Sequence, residues 1–330
     1  MTTVALTGAG TPLGRATRAL LDHEPGAVTV RTLDELVGSD VGDLKRQVEG
    51  TAAVIHLHTG TPATPLAATS DVEIARRVFD AASAASIDHV VLLSDATVYG
   101  AWANNPVPLT EDTVLRPNPG FTWAAERAEI ERLAGEWRGA HPGATVSILR
   151  PARIAVRSDW LITALRPGAT VPLLADEPAV QFLSLDDLAS AVVLAYRRGL
   201  DGAFNVAPDG AIPGDEVRSL TGAGPKVRLP ERVADRFATW RFRSGLGPTP
   251  PELVPYTLYP WVVANDRLRG AGWIPEVTNE VACVEAHEAR PWATISPRRR
   301  QEIALGVAAT GIAAATVGAG LLVRRFLRHR

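Results

Sequence analysis

The chain has 330 residues, 46% of them hydrophobic and 21% charged, with a formal net charge of −2. That composition describes a globular protein with little room for disorder and a core large enough for one large α/β domain or two smaller ones. Its single cysteine, Cys283, excludes an internal disulfide, and the main body carries no basic stripe with interleaved aromatics, so nucleic acid is not an expected partner.

Apolar, β-branched runs predict strands at 2–7, 27–31, 52–58, 89–94 and 145–150, and helical periodicity predicts helices near 13–22, 71–86 and 120–138. A helix from Asp186 to Arg198, acidic at its start and basic at its end, leads into a short strand near Ala203–Val206. Such βαβ alternation implies an α/β fold with a parallel sheet covered on both faces. From 208 to 292 the sequence is richer in proline, glycine and tryptophan, which predicts broken helices in a smaller lobe on the carboxyl side of the sheet. The Trp240-Arg241-Phe242-Arg243 run reads first as an ordinary helix with its aromatics inward and its arginines in water, and second as a contact for lipid or an anionic ligand.

The strongest motif comes first. Val4-Ala5-Leu6 feeds directly into Thr7-Gly8-Ala9-Gly10-Thr11-Pro12-Leu13-Gly14, which argues against a secretory leader. Strand, glycine turn and helix start form a dinucleotide-binding arrangement. Glycine admits the backbone close to a pyrophosphate, and the N–H groups of the helix start carry partial positive charge toward it. Thr7, Gly8, Gly10, Thr11, Leu13 and Gly14 are therefore candidate cofactor residues. At the end of the second strand Asp34 could hold a ribose 2′-hydroxyl, as with NAD, or Arg31 could meet a 2′-phosphate, as with NADP; both cofactors stay open.

The chain resembles the extended short-chain dehydrogenase/reductase family, the NAD-dependent epimerase/dehydratase group, over about residues 2–292. The resemblance rests on the glycine turn followed, in the family's order, by Ala53-Val54-Ile55-His56-Leu57, Ser94-Asp95-Ala96-Thr97-Val98-Tyr99-Gly100, Leu149-Arg150-Pro151, Gln181–Ala189, Phe204-Asn205-Val206 and Leu268–Pro275. It implies a Rossmann-type doubly wound sheet, with a dinucleotide-binding domain over 1–207 (151–180 contributing to the lobe), a substrate lobe over 208–297, and NAD or NADP as cofactor. It also marks Asp43 and Leu44 as adenine-side contacts, His56 as a structural residue, and His58 as standing where a small residue lets the cofactor pass.

The family's hydride chemistry uses a Tyr-x-x-x-Lys pair and a hydroxyl residue. The tyrosine moves the substrate proton and the lysine lowers its pKa. Matched to this pattern, Phe121 stands at the tyrosine, Ala125 at the lysine, Glu129 at the glutamate that follows, and Asp95 at the hydroxyl. The absence does not depend on the match: four residues after Tyr99, Tyr196, Tyr256 and Tyr259 stand Ala103, Leu200, Pro260 and Val263. The expected catalytic residues are thus missing, with Asp95 and His58 as possible substitutes. Loss of one positioned acid/base costs about 10²–10⁴ in rate. No metal site is expected, because His56 and His58 lack a third ligand at useful spacing. Arg153 stands where many sugar-nucleotide members carry asparagine, so the ligand of the cleft stays unknown.

The tail is the second signal. Residues 303–323 carry no charge, lie between Arg298-Arg299-Arg300 and Arg324, Arg325, Arg328 and Arg330, and as a helix would span about 31 Å. The segment reads as a C-terminal hydrophobic anchor helix (domain 298–330) holding the body on the cytoplasmic face of the cell membrane. A surface-lying helix or a soluble packed one is the alternative. Small pairs such as Gly311/Ala315 would permit close helix pairing, and a homo-oligomer is possible. Together these features favour a membrane-attached binding, sensor or scaffold protein over an active oxidoreductase or epimerase acting on a nucleotide sugar or lipid-like substrate.

Overall fold

The computed structural model describes residues 2–23, 28–33, 39–57, 70–157, 160–165, 177–221, 236, 239–245 and 249–287. Six parallel strands, β1 (Thr2–Thr7), β2 (Val28–Leu33), β3 (Ala53–His56), β4 (His89–Leu93), β5 (Thr145–Pro151) and β6 (Gly202–Val206), lie in the order β2-β1-β3-β4-β5-β6. The central strands β3 and β4 are near-continuously apolar and buried, as a sheet covered on both faces requires, whereas edge strand β2 alternates half-buried with exposed residues. Helices α1 (Pro12–Asp22) and α6 (Leu185–Arg198) pack on one face, around Leu6, Leu21, Ile55, Leu188 and Val192. On the other face lie α2 (Val41–Val48), α3 (Asp71–Ala84) and α4 (Thr122–Ala140), around Leu44, Val54, Phe79, Ile130 and Trp137, while the short α5 (Trp160–Ala164) follows β5.

The helices begin where short polar side chains can take up their free N–H groups. Thr11 accepts from Gly14, Asp40 from Asp43, Ser70 from Glu73 and Ser184 from Asp187. Helix α6 ends at Gly199 in the left-handed conformation. Of the predicted elements the first and last strands match closely, while α2 lies in a stretch that carried no assignment.

The chain order reverses beside β1: β2 pairs on one side of it and β3 on the other. The crevice outside the carboxyl ends of β1 and β3 is therefore the topological switch point, where open α/β sheets bind their ligands. Over the carboxyl edge of the other strands packs a third apolar cluster, which joins Val98, Phe121, Trp123 and Ala124 to Leu253, Tyr256 and Trp261 from the later part of the chain. Hydrogen bonds stitch this lobe on: Asn105 Nδ2 donates to the Pro260 carbonyl, and Gln181 Nε2 to that of Val263. The short helical stretch at 239–243 departs from expectation. Trp240 is 55% and Phe242 40% exposed, so its aromatics do not point inward; two residues apart on a helix they lie on nearly opposite faces, and one apolar side cannot bury both.

Among the described residues no helix is long and apolar enough to cross a membrane. The predicted anchor at 303–323 lies outside them, as do Asp34 and His58.

Candidate active site

At the switch point, Gly8 has φ +69°, a conformation that costs glycine nothing and other residues much. The Thr11 backbone N–H donates to the Gly8 carbonyl at 3.0 Å and the Thr11 hydroxyl to the same oxygen at 2.8 Å, closing the turn. A Cβ on Gly14 would stand 2.1 Å from the Gly8 oxygen, whereas one on Gly10 would meet nothing within 4 Å. Gly14 is thus needed for helix-to-turn contact, and Gly10 leaves open space over the turn. With the positive end of α1 directed there, the turn fits a pyrophosphate. Leu13 is buried beneath it.

Thr7 and His56 are register partners on β1 and β3, and Thr7 Oγ1 lies 2.9 Å from His56 Nδ1 in a buried hydrogen bond. His56 thus ties the two strands together below the crevice. Among the described residues no group of three or more His, Cys, Asp or Glu side chains stands together as a metal site.

The other expected cofactor contacts lie on β2 and α2. Arg31 pairs mid-strand with Ala5 and donates to the carbonyls of Gln47 and Glu49, each at 2.8 Å, so its guanidinium is anchored on the end of α2. Asp43 is a half-buried first-turn residue of α2, ion-paired with Arg46. The Leu44 side chain is buried in the core with Leu33 and Val54.

Asp95 follows β4 and caps the short 3₁₀ turn Ala96–Tyr99, its Oδ1 accepting from the Thr97 N–H at 2.7 Å. Tyr256 comes from the lobe to the same corner, where its buried phenol donates to the Thr97 carbonyl at 2.8 Å. Burial, and then the charge of Asp95, push that phenol well above its ordinary pKa of 10. Phe121 packs edge-on against Tyr256 with ring centroids 5.4 Å apart. A phenyl ring and a locked phenol fill this corner.

Helix α4 presents two stripes with the spacing i, i+4, i+8. On one, Phe121 is buried, but Ala125 is exposed and Glu129 pairs with Arg132 at the surface; this stripe borders a shallow groove of about 490 Å³. On the other, Trp123, Arg127 and Glu131 are all buried. The Arg127 guanidinium, 1% exposed, pairs with Asp71 at the start of α3 and lies 4.4 Å over the Trp123 ring. Among the described residues its Nε has no hydrogen-bond partner. Burial lowers its pKa to about 10, which still leaves it charged at neutral pH.

Glu131 accepts from Arg150 Nη2 at 2.7 Å and from Nε at 3.1 Å, and also receives the Ser94 hydroxyl. Arg150 Nη1 donates to Tyr99 Oη at 2.7 Å, and Tyr99 in turn to Asn205 Oδ1 at 2.7 Å. Burial raises the Tyr99 phenol to about 12 against the opposing pull of Arg150. Ser94, Tyr99, Arg150 and Asn205 thus form one buried network with Glu131. Sequence reading passed over Trp123, Arg127 and Glu131. Their common four-residue spacing was the available signal.

A model of the NAD dependent epimerase/dehydratase family matches residues 4–207, more than half of the chain. No curated protein is similar enough in sequence to count as a relative. Among solved structures, the chain is similar to a short-chain dehydrogenase/reductase superfamily protein of Agrobacterium tumefaciens with bound NAD (21% identity, TM-score 0.62, covering 92% of this chain and 99% of that one). It is also similar to RMD of Pseudomonas aeruginosa complexed with NADPH (19%, 0.61, 89% and 100%). A third is the UDP-glucose 4-epimerase of Thermus thermophilus in complex with NAD (16%, 0.59, 86% and 97%). At these identities the likeness is one of fold.

Proposed function

The chain belongs to the NAD dependent epimerase/dehydratase family, and from that premise we propose that it binds NAD or NADP at the β1–β3 crevice but lacks the family's proton relay, serving as a binding, sensor or scaffold protein. The observation that carries this reading is the inward stripe of α4. The glutamate expected to follow the relay is better matched by buried Glu131 than by half-buried Glu129, which moves the register by two residues. Trp123 then takes the tyrosine position and Arg127 the lysine position. An indole N–H is not a useful acid or base near neutral pH, so no proton can be passed at this point. A guanidinium with an unused Nε can still donate to a ribose hydroxyl. A bound nicotinamide supplies hydride exchange; the residues around it here would hold and orient it without moving the substrate proton.

The test is titration of the full-length protein with NADH and NADPH, followed by assay of a sugar-nucleotide panel at the reduced-cofactor absorbance band. Binding with no turnover is expected. Turnover abolished by Asp95→Asn would instead favour an active oxidoreductase or epimerase, a reading supported only by the placing of Asp95 beside the Tyr256 phenol.

The uncharged, arginine-flanked segment 303–323 supports attachment of the body to a membrane. Full-length protein should stay in the membrane pellet after carbonate extraction; recovery in the supernatant would remove the anchor.

A further inference from the structure

The helical stretch at 239–243 ends in the open. Trp240 and Phe242, on nearly opposite sides of it, are both exposed, and so are Arg243, Ser244 and Gly245. The Ser244 N–H donates to the Trp240 carbonyl and the Gly245 N–H to that of Phe242, each at 3.0 Å. Gly245 then turns the chain with φ +69°, and a Cβ there would meet nothing within 4 Å. A helix end exposed on two opposite sides projects from the body, so both aromatics can enter one soft surface together, where a flat, rigid partner would cover only one of them.

Charge is distributed to match. Between Lys226 and Arg243 the sequence carries six basic residues and two acids, and from Arg298 to Arg330 seven arginines and one acid. With a net charge of −2 for the whole chain, everything outside these two segments is acidic on balance. The two basic segments therefore answer to one kind of surface, an anionic one. Fifteen residues, 288–302, separate His287 from the uncharged segment that begins at 303, and they span at most about 50 Å. An inserted tail would thus keep the body within reach of the lipid surface.

We propose that this helix end is a second membrane contact: Trp240 and Phe242 enter the headgroup layer of an anionic lipid surface, and the exposed Arg236 and Arg243 meet its phosphates. Aromatic rings settle at headgroup depth, and guanidinium groups on long stems stay in the wet layer beside them. The contact would fix which face of the body the membrane sees, a constraint that a tail joined through fifteen residues does not supply. The inference rests on the reading of 303–323 as a membrane anchor and adds an anionic-lipid contact on the body itself.

The test uses full-length Ser244→Cys carrying the polarity-sensitive fluorophore NBD, the one native cysteine, Cys283, being buried. It is mixed with vesicles of phosphatidylcholine, with and without phosphatidylglycerol. In the mixed vesicles the emission should shift to the blue and be quenched by a nitroxide lipid. With phosphatidylcholine alone, or at high salt, both effects should weaken. Arg236→Gln and Arg243→Gln should each lower the ratio of inserted to free tip about 5-fold, and Trp240→Ser combined with Phe242→Ser should abolish the quenching. No shift in the mixed vesicles overturns the proposal, as does full quenching in the double serine variant. A shift already present without vesicles that grows with protein concentration overturns it too, since a second copy would then cover the tip. Carbonate extraction of the same samples separates the two readings. Protein held in the pellet with an unquenched label defeats the tip contact alone, and protein released to the supernatant whose label had been quenched defeats the anchor alone.

Discussion

Replacing Arg150 by methionine should cost the fold about 3–5 kcal/mol. Arg150 and Glu131 are both buried and joined through two guanidinium nitrogens. Removal of the cation leaves a carboxylate in a low-dielectric site where, among the described residues, the Ser94 hydroxyl is its one remaining side-chain donor. The loss reaches further, because Arg150 also donates to Tyr99 Oη, and Tyr99 holds Asn205 on β6. Glu131→Gln should also destabilise, because the buried Arg150 guanidinium loses its counter-charge, but by less, since the amide oxygen can still accept from Arg150 and Tyr99 Oη still faces the guanidinium. Arg150→Lys should fall between wild type and the methionine variant, having lost the planar fork. Urea unfolding checks the series: Arg150→Met should show the largest drop in midpoint, and the other two smaller drops, with the slope unchanged. A methionine variant within about 1 kcal/mol of wild type would mean that the network is not the rivet its geometry suggests.

Most of the sheet was legible in the sequence because each strand is an apolar run set off by polar or glycine-rich turns, and burial on both faces demands such runs. The glycine turn was legible for a related reason: the backbone angle of Gly8 and the contact of Gly14 tolerate no side chain. Helix α4 was harder. Glu129 and Glu131 are two residues apart in a helix whose two sides both carry alanines, and only the position of Arg150 in space decides which of them is inside. Arg31 was ambiguous for the same kind of reason. A cation on β2 can serve a cofactor phosphate or the last carbonyls of α2, and only the fold shows that the carbonyls of Gln47 and Glu49 take it. Asp71 carried no signal at all, since an acid in the first turn of a helix is ordinary and its partner lies on another helix.

The pair formed by Asp71 and Arg127 offers the sharpest separation of structure from function. Arg127→Met alone should destabilise the protein by about 3–5 kcal/mol, because the Asp71 carboxylate is left largely buried without that cation. Adding Asp71→Leu should recover most of that loss, since apolar replacements for a buried ion pair are commonly neutral or stabilising. If Arg127 serves only to satisfy Asp71, the double variant should also bind NADH like wild type. The proposed role predicts otherwise. With the guanidinium gone, the nicotinamide-side ribose loses a charged donor, worth about 1.5–3 kcal/mol, so NADH affinity should fall about 10–100-fold in a protein whose unfolding midpoint is close to normal. Fluorescence titration beside urea unfolding reads both quantities on the same sample, and a double variant that is stable and still binds NADH at full affinity would confine Arg127 to the fold.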